Sequence, residues 1–123
     1  MGATKHSGGC HCGKVRFDVT VDLGQPAITC NCSICAKTGT MLTFVDAESF
    51  SLKSGEESLT DYTFNSHTIH HVFCKICGIR SFARGKFTKG EKAGKAMVAV
   101  NARCLDDVDP AALPTHAFDG KKL

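Results

Sequence analysis

Seven of the eight cysteines in this 123-residue chain fall into three tight motifs, and any fold must place those sulfurs. The motifs are Cys10-His11-Cys12-Gly13, Cys30-Asn31-Cys32-Ser33-Ile34-Cys35 and Cys74-Lys75-Ile76-Cys77-Gly78. In C-x-x-C-G two sulfurs bracket a tight turn, and the glycine relaxes the backbone so that N–H groups can face thiolates. C-x-C-G can do the same in a shorter loop. Cys10, Cys12, Cys74 and Cys77 together would make a closed tetrahedral set of the structural kind. Cys30, Cys32 and Cys35 would then form a three-ligand set on one loop, leaving a metal one open position, the arrangement associated with catalysis. Spacing also permits another partition, with Cys32 and Cys35 joining Cys74 and Cys77.

Other uses of the thiols fit less well. Four disulfides are arithmetically possible, but C-x-C neighbours bridge poorly. The opening Met1-Gly2-Ala3-Thr4-Lys5-His6 has no apolar core or cleavage site of a signal peptide. Nor does any apolar run approach the ~18 residues of a membrane span. These features predict a cytoplasmic protein with reduced thiols and no membrane partner. Buried, unligated cysteines would leave the three knuckle spacings unexplained. An iron–sulfur cluster is the competing metal reading, since thiolates suit iron too. Zinc is the cofactor predicted, two ions per chain, with the three-ligand loop site the more labile.

The remaining candidates carry weaker signals. Cys104 lies outside the motifs and reads as a small buried apolar residue. His70 and His71 would point to opposite faces of a strand, where one could approach the metal site, though a hydrogen-bonded structural role is the favoured reading. His11, between two ligands, is expected to point away from their metal. Formal charge is +3, but four thiolates on one zinc and three on another bring it to zero. Lysines and arginines are scattered without a dense stripe, which argues against a nucleic-acid partner.

Between the motifs the chain reads as one mostly β domain over residues 1–123, with small antiparallel sheets and few or no helices. Lys14 to Val21 alternates apolar and polar as a half-buried strand does. Met41 to Asp46, Phe50 to Lys53, Ser58 to Phe64, His67 to Phe73, Gly78 to Ala83 and Ala96 to Asn101 are further strand candidates. Turns are predicted at Lys53-Ser54-Gly55, Asn65-Ser66, Arg84-Gly85-Lys86, Lys89-Gly90 and Ala93-Gly94-Lys95. Asp106 to Leu113 could hold one short helical turn before Pro114.

Read in order, the motifs resemble the glutathione-dependent formaldehyde-activating enzymes and their centromere-protein-V-like relatives. The resemblance is carried by Gly8-Gly9-Cys10-His11-Cys12-Gly13-Lys14-Val15-Arg16-Phe17, by Cys30 to Gly39, and by Phe73 to Phe82. Val98-Ala99-Val100-Asn101 with Arg103-Cys104-Leu105-Asp106-Asp107, and finally Phe118-Asp119-Gly120, extend it over nearly the whole chain. It implies a tent-like, zinc-stabilised β fold. It also implies a structural zinc on Cys10, Cys12, Cys74 and Cys77 and an active-site zinc on Cys30, Cys32 and Cys35. The implied activity is of the carbon–sulfur lyase type, joining formaldehyde and glutathione as S-hydroxymethylglutathione.

The chemistry suits that reading. A zinc with three thiolates carries net negative charge and is a poor generator of hydroxide, but it can hold a fourth thiolate deprotonated below the free thiol's ~8.5. Lys37, Arg80 and Arg84 are the candidates for a cationic wall facing glutathione's carboxylates, against the plainer reading of solvated surface charges. The alternative function is a non-catalytic zinc module that binds or senses thiols or aldehydes, or docks a partner.

Overall fold

Six residues before the first cysteine pair already form a strand, β1 (Thr4–Gly9), which pairs antiparallel with β2 (Arg16–Val21). The computed structural model describes residues 2–64, 67–87 and 90–120. The alternation in β2 is used as expected: Phe17, Val19 and Val21 are buried and Thr20 is exposed. β5 (Phe50–Ser54) pairs with the other edge of β2, completing a three-stranded sheet. A second sheet contains β3 (Ala27–Cys30), β4 (Leu42–Asp46), β8 (Phe82–Lys86), β9 (Ala96–Asn101) and β10 (Thr115–Phe118), in the order β10-β3-β4-β9-β8. β6 (Leu59–Tyr62) and β7 (His71–Cys74) pair with each other.

The described chain is mostly β, with 44% strand against 15% helical. α1 (Cys35–Thr38) spans four residues, and short 3-10 turns make up the rest. One of these, Pro110–Ala112, is the turn expected before Pro114, capped by Asp109, whose side chain accepts from the Ala111 N–H at 3.0 Å. No helix among the described residues is long and apolar enough to cross a membrane.

Several boundaries move from the sequence-based expectation. The strand expected from His67 starts at His71, because His67 has φ 58°, a left-handed conformation no strand accommodates. The strand expected from Gly78 starts at Phe82, because residues 74–79 are wound into a turn around sulfur. β10 pairs parallel with β3, the exception to the antiparallel pattern. The expected turn at Asn65-Ser66 and the first residue of the one at Lys89-Gly90 lie outside the described residues, while Gly90 has φ 77°, the left-handed conformation of a turn.

The core sits where the first two sheets face each other. Phe17 on β2, Phe50 on β5 and Phe82 on β8 form an aromatic trio with ring centroids 4.7 to 6.1 Å apart. Such pairs add about 0.5–1.5 kcal/mol each beyond the area they bury. Val15, Val19 and Val100 fill the space around them and are buried to 1% exposure or less.

At the margin, the Arg16 guanidinium grips both carboxylate oxygens of Asp106. That hydrogen bonding outweighs lost hydration and holds Asp106 below the usual carboxylate range. A depressed folded-state value stabilises above the unfolded pKa of about 3.9 and ceases to do so as pH falls through the folded one. The pair is partly exposed, so its worth at neutral pH is no more than about 1 kcal/mol. The stability gap between wild type and Asp106→Asn is expected to close as pH drops below about 4, in paired urea titrations. A gap that persists at low pH would contradict this account.

Candidate metal centres

The six-residue β1–β2 connection folds around two sulfurs. Cys10 N–H donates to the Val15 carbonyl at 3.1 Å and Gly13 N–H to the Cys10 carbonyl at 3.3 Å. The second pair sits at the end of β7: Gly78 N–H donates to the Cys74 carbonyl at 2.8 Å, and Cys74 N–H to the Ile79 carbonyl at 3.1 Å. Gly13 (φ 85°) and Gly78 (φ 79°) occupy the left-handed region that closes each turn, which glycine enters without strain.

The fold brings these turns together. The ligand atoms of Cys10, Cys12, Cys74 and Cys77 all lie within 4.8 Å of one another. Cys10 Sγ and Cys12 Sγ are 3.6 Å apart, and Cys12 Sγ and Cys74 Sγ 3.7 Å. A tetrahedral zinc with Zn–S bonds of about 2.3 Å needs sulfurs about 3.8 Å apart, so the donor set fits that ion. Val15 N–H donates to Cys10 Sγ at 3.3 Å and Ile76 N–H to Cys74 Sγ at 3.4 Å, and backbone donation from Cys77 and Ile76 lowers the Cys74 thiol. Cys10 and Cys74 are buried.

Cys30, Cys32 and Cys35 form the second group, with sulfurs again within 4.8 Å of one another. The alternative partition, Cys32 and Cys35 with Cys74 and Cys77, is not what the structure assembles. Cys30 ends β3, Cys32 follows in the loop, and Cys35 opens α1, where Ala36 N–H donates to the Cys32 carbonyl at 2.9 Å. Cys32 N–H faces Cys30 Sγ at 3.5 Å. All three residues are half-buried, so a bound ion would keep one side open. Burial, then the neighbouring Cys32 and Cys30 sulfurs, push the Cys35 thiol up to about 12. In the metal-free chain it holds a proton that a cation must displace.

Other residues singled out in the sequence take different places. Cys104 is partly buried, its Sγ 3.8 Å from the Arg80 carbonyl, and burial raises its thiol. Among the described residues it belongs to neither group of sulfurs. His70 Nδ1 lies 2.6 Å from Asp61 Oδ2, and the His70 backbone bridges to Arg84. His71 stacks on Phe64, and burial, then Arg80, lower its pKa. His11 is exposed. Lys37 lies in the last turn of α1 beside the three-cysteine set. Arg80 rests over the Phe73 ring, and Arg84 over Phe82 with its Nη2 3.2 Å from Glu56. Those two arginines thus have structural partners.

Sequence reasoning missed two contributors. Asn31 donates its side-chain amide to Asp119 Oδ1 at 2.9 Å, which anchors the chain beyond β10 against the three-cysteine loop. Asn101, buried at the end of β9, hydrogen-bonds Met41, Arg80 and Arg103. Both lie within motifs that carried the family resemblance, but a motif does not say which partners a side chain will meet.

Comparison with known proteins agrees with this geometry. The solved crystal structure of a Rhodobacter sphaeroides protein is similar to this one, with a TM-score of 0.74 at 28% identity, covering 89% of this chain and 99% of that one. The family model for the glutathione-dependent formaldehyde-activating enzyme matches residues 5–120, which takes in all eight cysteines. The chain belongs to the glutathione-dependent formaldehyde-activating enzyme family.

Proposed function

We propose that this chain is a cytoplasmic two-zinc enzyme, acting as one domain over residues 1–123, that joins glutathione to formaldehyde. Cys10, Cys12, Cys74 and Cys77 hold the structural ion. Cys30, Cys32 and Cys35 hold the active-site ion and are the catalytic residues. The observation that carries this reading is the convergence of three half-buried sulfurs on one loop, in a chain of this family. When bound there, zinc supplies an open position that keeps an incoming thiol ionised.

The chain's own residues do the rest. The Cys32 N–H donates to Cys30 Sγ, and α1 fixes where Cys35 presents its sulfur. Lys37, on the same short helix, supplies a positive charge beside the loop for a carboxylate of the substrate. The reaction itself forms one carbon–sulfur bond. The carbonyl of formaldehyde becomes a hydroxyl that takes up the thiol's proton, and nothing is oxidised or reduced.

The test is a calorimetric titration of the zinc-loaded protein with glutathione and with S-methylglutathione, paired with the rate of adduct formation. Heat of binding only with the free thiol, and a rate above the uncatalysed background that Cys32→Ser removes, are the expected results. Full activity in Cys32→Ser would overturn the catalytic assignment. Thiol-dependent binding without acceleration would assign the site to thiol binding alone.

A further inference from the structure

The three-cysteine loop is one short stretch of chain, but a distant segment packs against it. β10 lies parallel to β3 with Phe118 in register with Cys30. Two backbone bonds seat it there: Ala27 N–H to the Pro114 carbonyl at 2.9 Å, and Asn31 N–H to the Phe118 carbonyl at 3.3 Å. The Asn31 side chain then holds Asp119 Oδ1 at 2.9 Å. The next residue, Gly120, ends up against the sulfur site. A Cβ placed on Gly120 would stand 2.5 Å from Cys30 Sγ and 3.0 Å from Cys32 Cβ.

Contacts that short do not occur between a real side chain and its neighbours, so something would have to move. The flexible partner is the Cys30 side chain, whose sulfur would be displaced from the set it forms with Cys32 and Cys35. Gly120 does not have the left-handed φ that would demand glycine on conformational grounds. Close approach alone excludes a side chain there. At Gly13, Gly39 and Gly78, beside the same motifs, the reverse holds: φ is positive and a Cβ would meet nothing within 4 Å.

We infer that Gly120 is a positioning residue for the three-cysteine site, and that Asp119 and β10 form the clamp that holds it against Cys30. The site is thus completed by a segment ninety positions away from Cys30: the clamp closes one flank of the sulfurs. Residues that support metal ligands commonly contribute 10- to 100-fold to affinity, which sets the expected scale here at about the same range. This inference rests on reading Cys30, Cys32 and Cys35 as a metal set, and the experiment separates the two.

The full-length zinc-loaded protein is titrated with a chromophoric chelator, and zinc release is followed in wild type, Gly120→Ala and Asp119→Ala. Wild type is expected to release two ions in two phases. In Gly120→Ala the weaker phase is expected to shift by about 10- to 100-fold, with the tighter phase unchanged as an internal control for folding. Asp119→Ala loosens the clamp without adding a clash, and a smaller shift in the same phase is expected. Cobalt(II) substitution gives a second readout, because loss of one sulfur lowers the thiolate-to-metal charge-transfer band of that site alone. Identical two-phase release in all three proteins would overturn the clamp. If wild type releases a single ion, the metal reading of the three-cysteine set fails instead. The clamp is then judged by alkylation of Cys30, which must be faster in both variants than in wild type; equal rates would overturn it.

Discussion

Removing zinc is expected to collapse the β-sheet circular dichroism of this protein, and restoring zinc to recover it. The four-cysteine set joins the β1–β2 turn to the end of β7, sulfurs whose residues are 62 positions apart in the Cys12–Cys74 contact. Closing a loop of that length costs chain entropy that a metal cross-link offsets. Structural zinc on such ligands is worth about 10–16 kcal/mol in apparent binding energy, comparable with the whole stability of a domain, about 5–15 kcal/mol. Cys10 and Cys74 are buried at 7% and 0% exposure, so a metal-free chain must also leave two thiols inside the fold, crowded by Cys12 and Cys77. The three-cysteine set spans residues 30–35 only, and losing its ion removes no comparable cross-link. Cys74→Ser is therefore expected to unfold the chain, whereas Cys32→Ser is expected to keep the fold and lose the second ion. Thiols must shed protons to bind, so both affinities fall as pH falls, and chelation should succeed at lower chelator concentration in mild acid. An unchanged spectrum and melting temperature after complete metal removal would refute the structural role of the first set.

The readable parts of this fold are those where a side chain's own chemistry decides its place. The seven motif cysteines stood out through their spacing, which left two partitions open; the family resemblance implied the one that the structure assembles. β2 and β9 were legible because Phe17, Val19, Val98 and Val100 are buried hydrophobes in short alternating or apolar runs. β1 and β10 were not. Their residues, Thr4-Lys5-His6-Ser7-Gly8-Gly9 and Thr115-His116-Ala117-Phe118, are largely exposed edge strands with no alternation to betray them. They form because a neighbour offers unpaired backbone groups, a tertiary cause that no local pattern encodes. The start of β8 was misplaced for a related reason: the turn around Cys74 and Cys77 consumes Gly78 to Arg80, which on propensity alone look extended. Gly120 carried no signal beyond its motif, since its need for glycine arises from Cys30, ninety positions earlier.

Asn101→Ala is expected to cost on the order of 3 kcal/mol of stability, more than an ordinary change to a polar residue, because three main-chain groups lose their partner together. Asn101 Oδ1 accepts from Met41 N–H at 3.4 Å and Arg103 N–H at 3.1 Å, while Nδ2 donates to the Arg80 carbonyl at 2.9 Å. Asn101 is 7% exposed and Met41 4%, so water has poor access to replace at least the Met41 bond. The position matters beyond its count of bonds. Met41 follows the three-cysteine loop and α1; Arg80 follows the Cys74–Cys77 turn; Asn101 ends the strand between them in the sheet. One amide side chain thus ties the exits of both sulfur motifs to β9. Asparagine suits this point because it carries an acceptor and a donor at one carbon. Asn101→Asp retains the shape and both accepted bonds, but places an oxygen against the Arg80 carbonyl and a charge in a nearly buried site, so it should not rescue the loss. Urea titration of the zinc-loaded proteins checks both variants, and a midpoint equivalent to less than about 0.5 kcal/mol from wild type, the scale of a neutral surface change, would refute the tie. If the tie is real, the same variants should release zinc from both sets faster, because each set would have lost a fixed point on the strand they share.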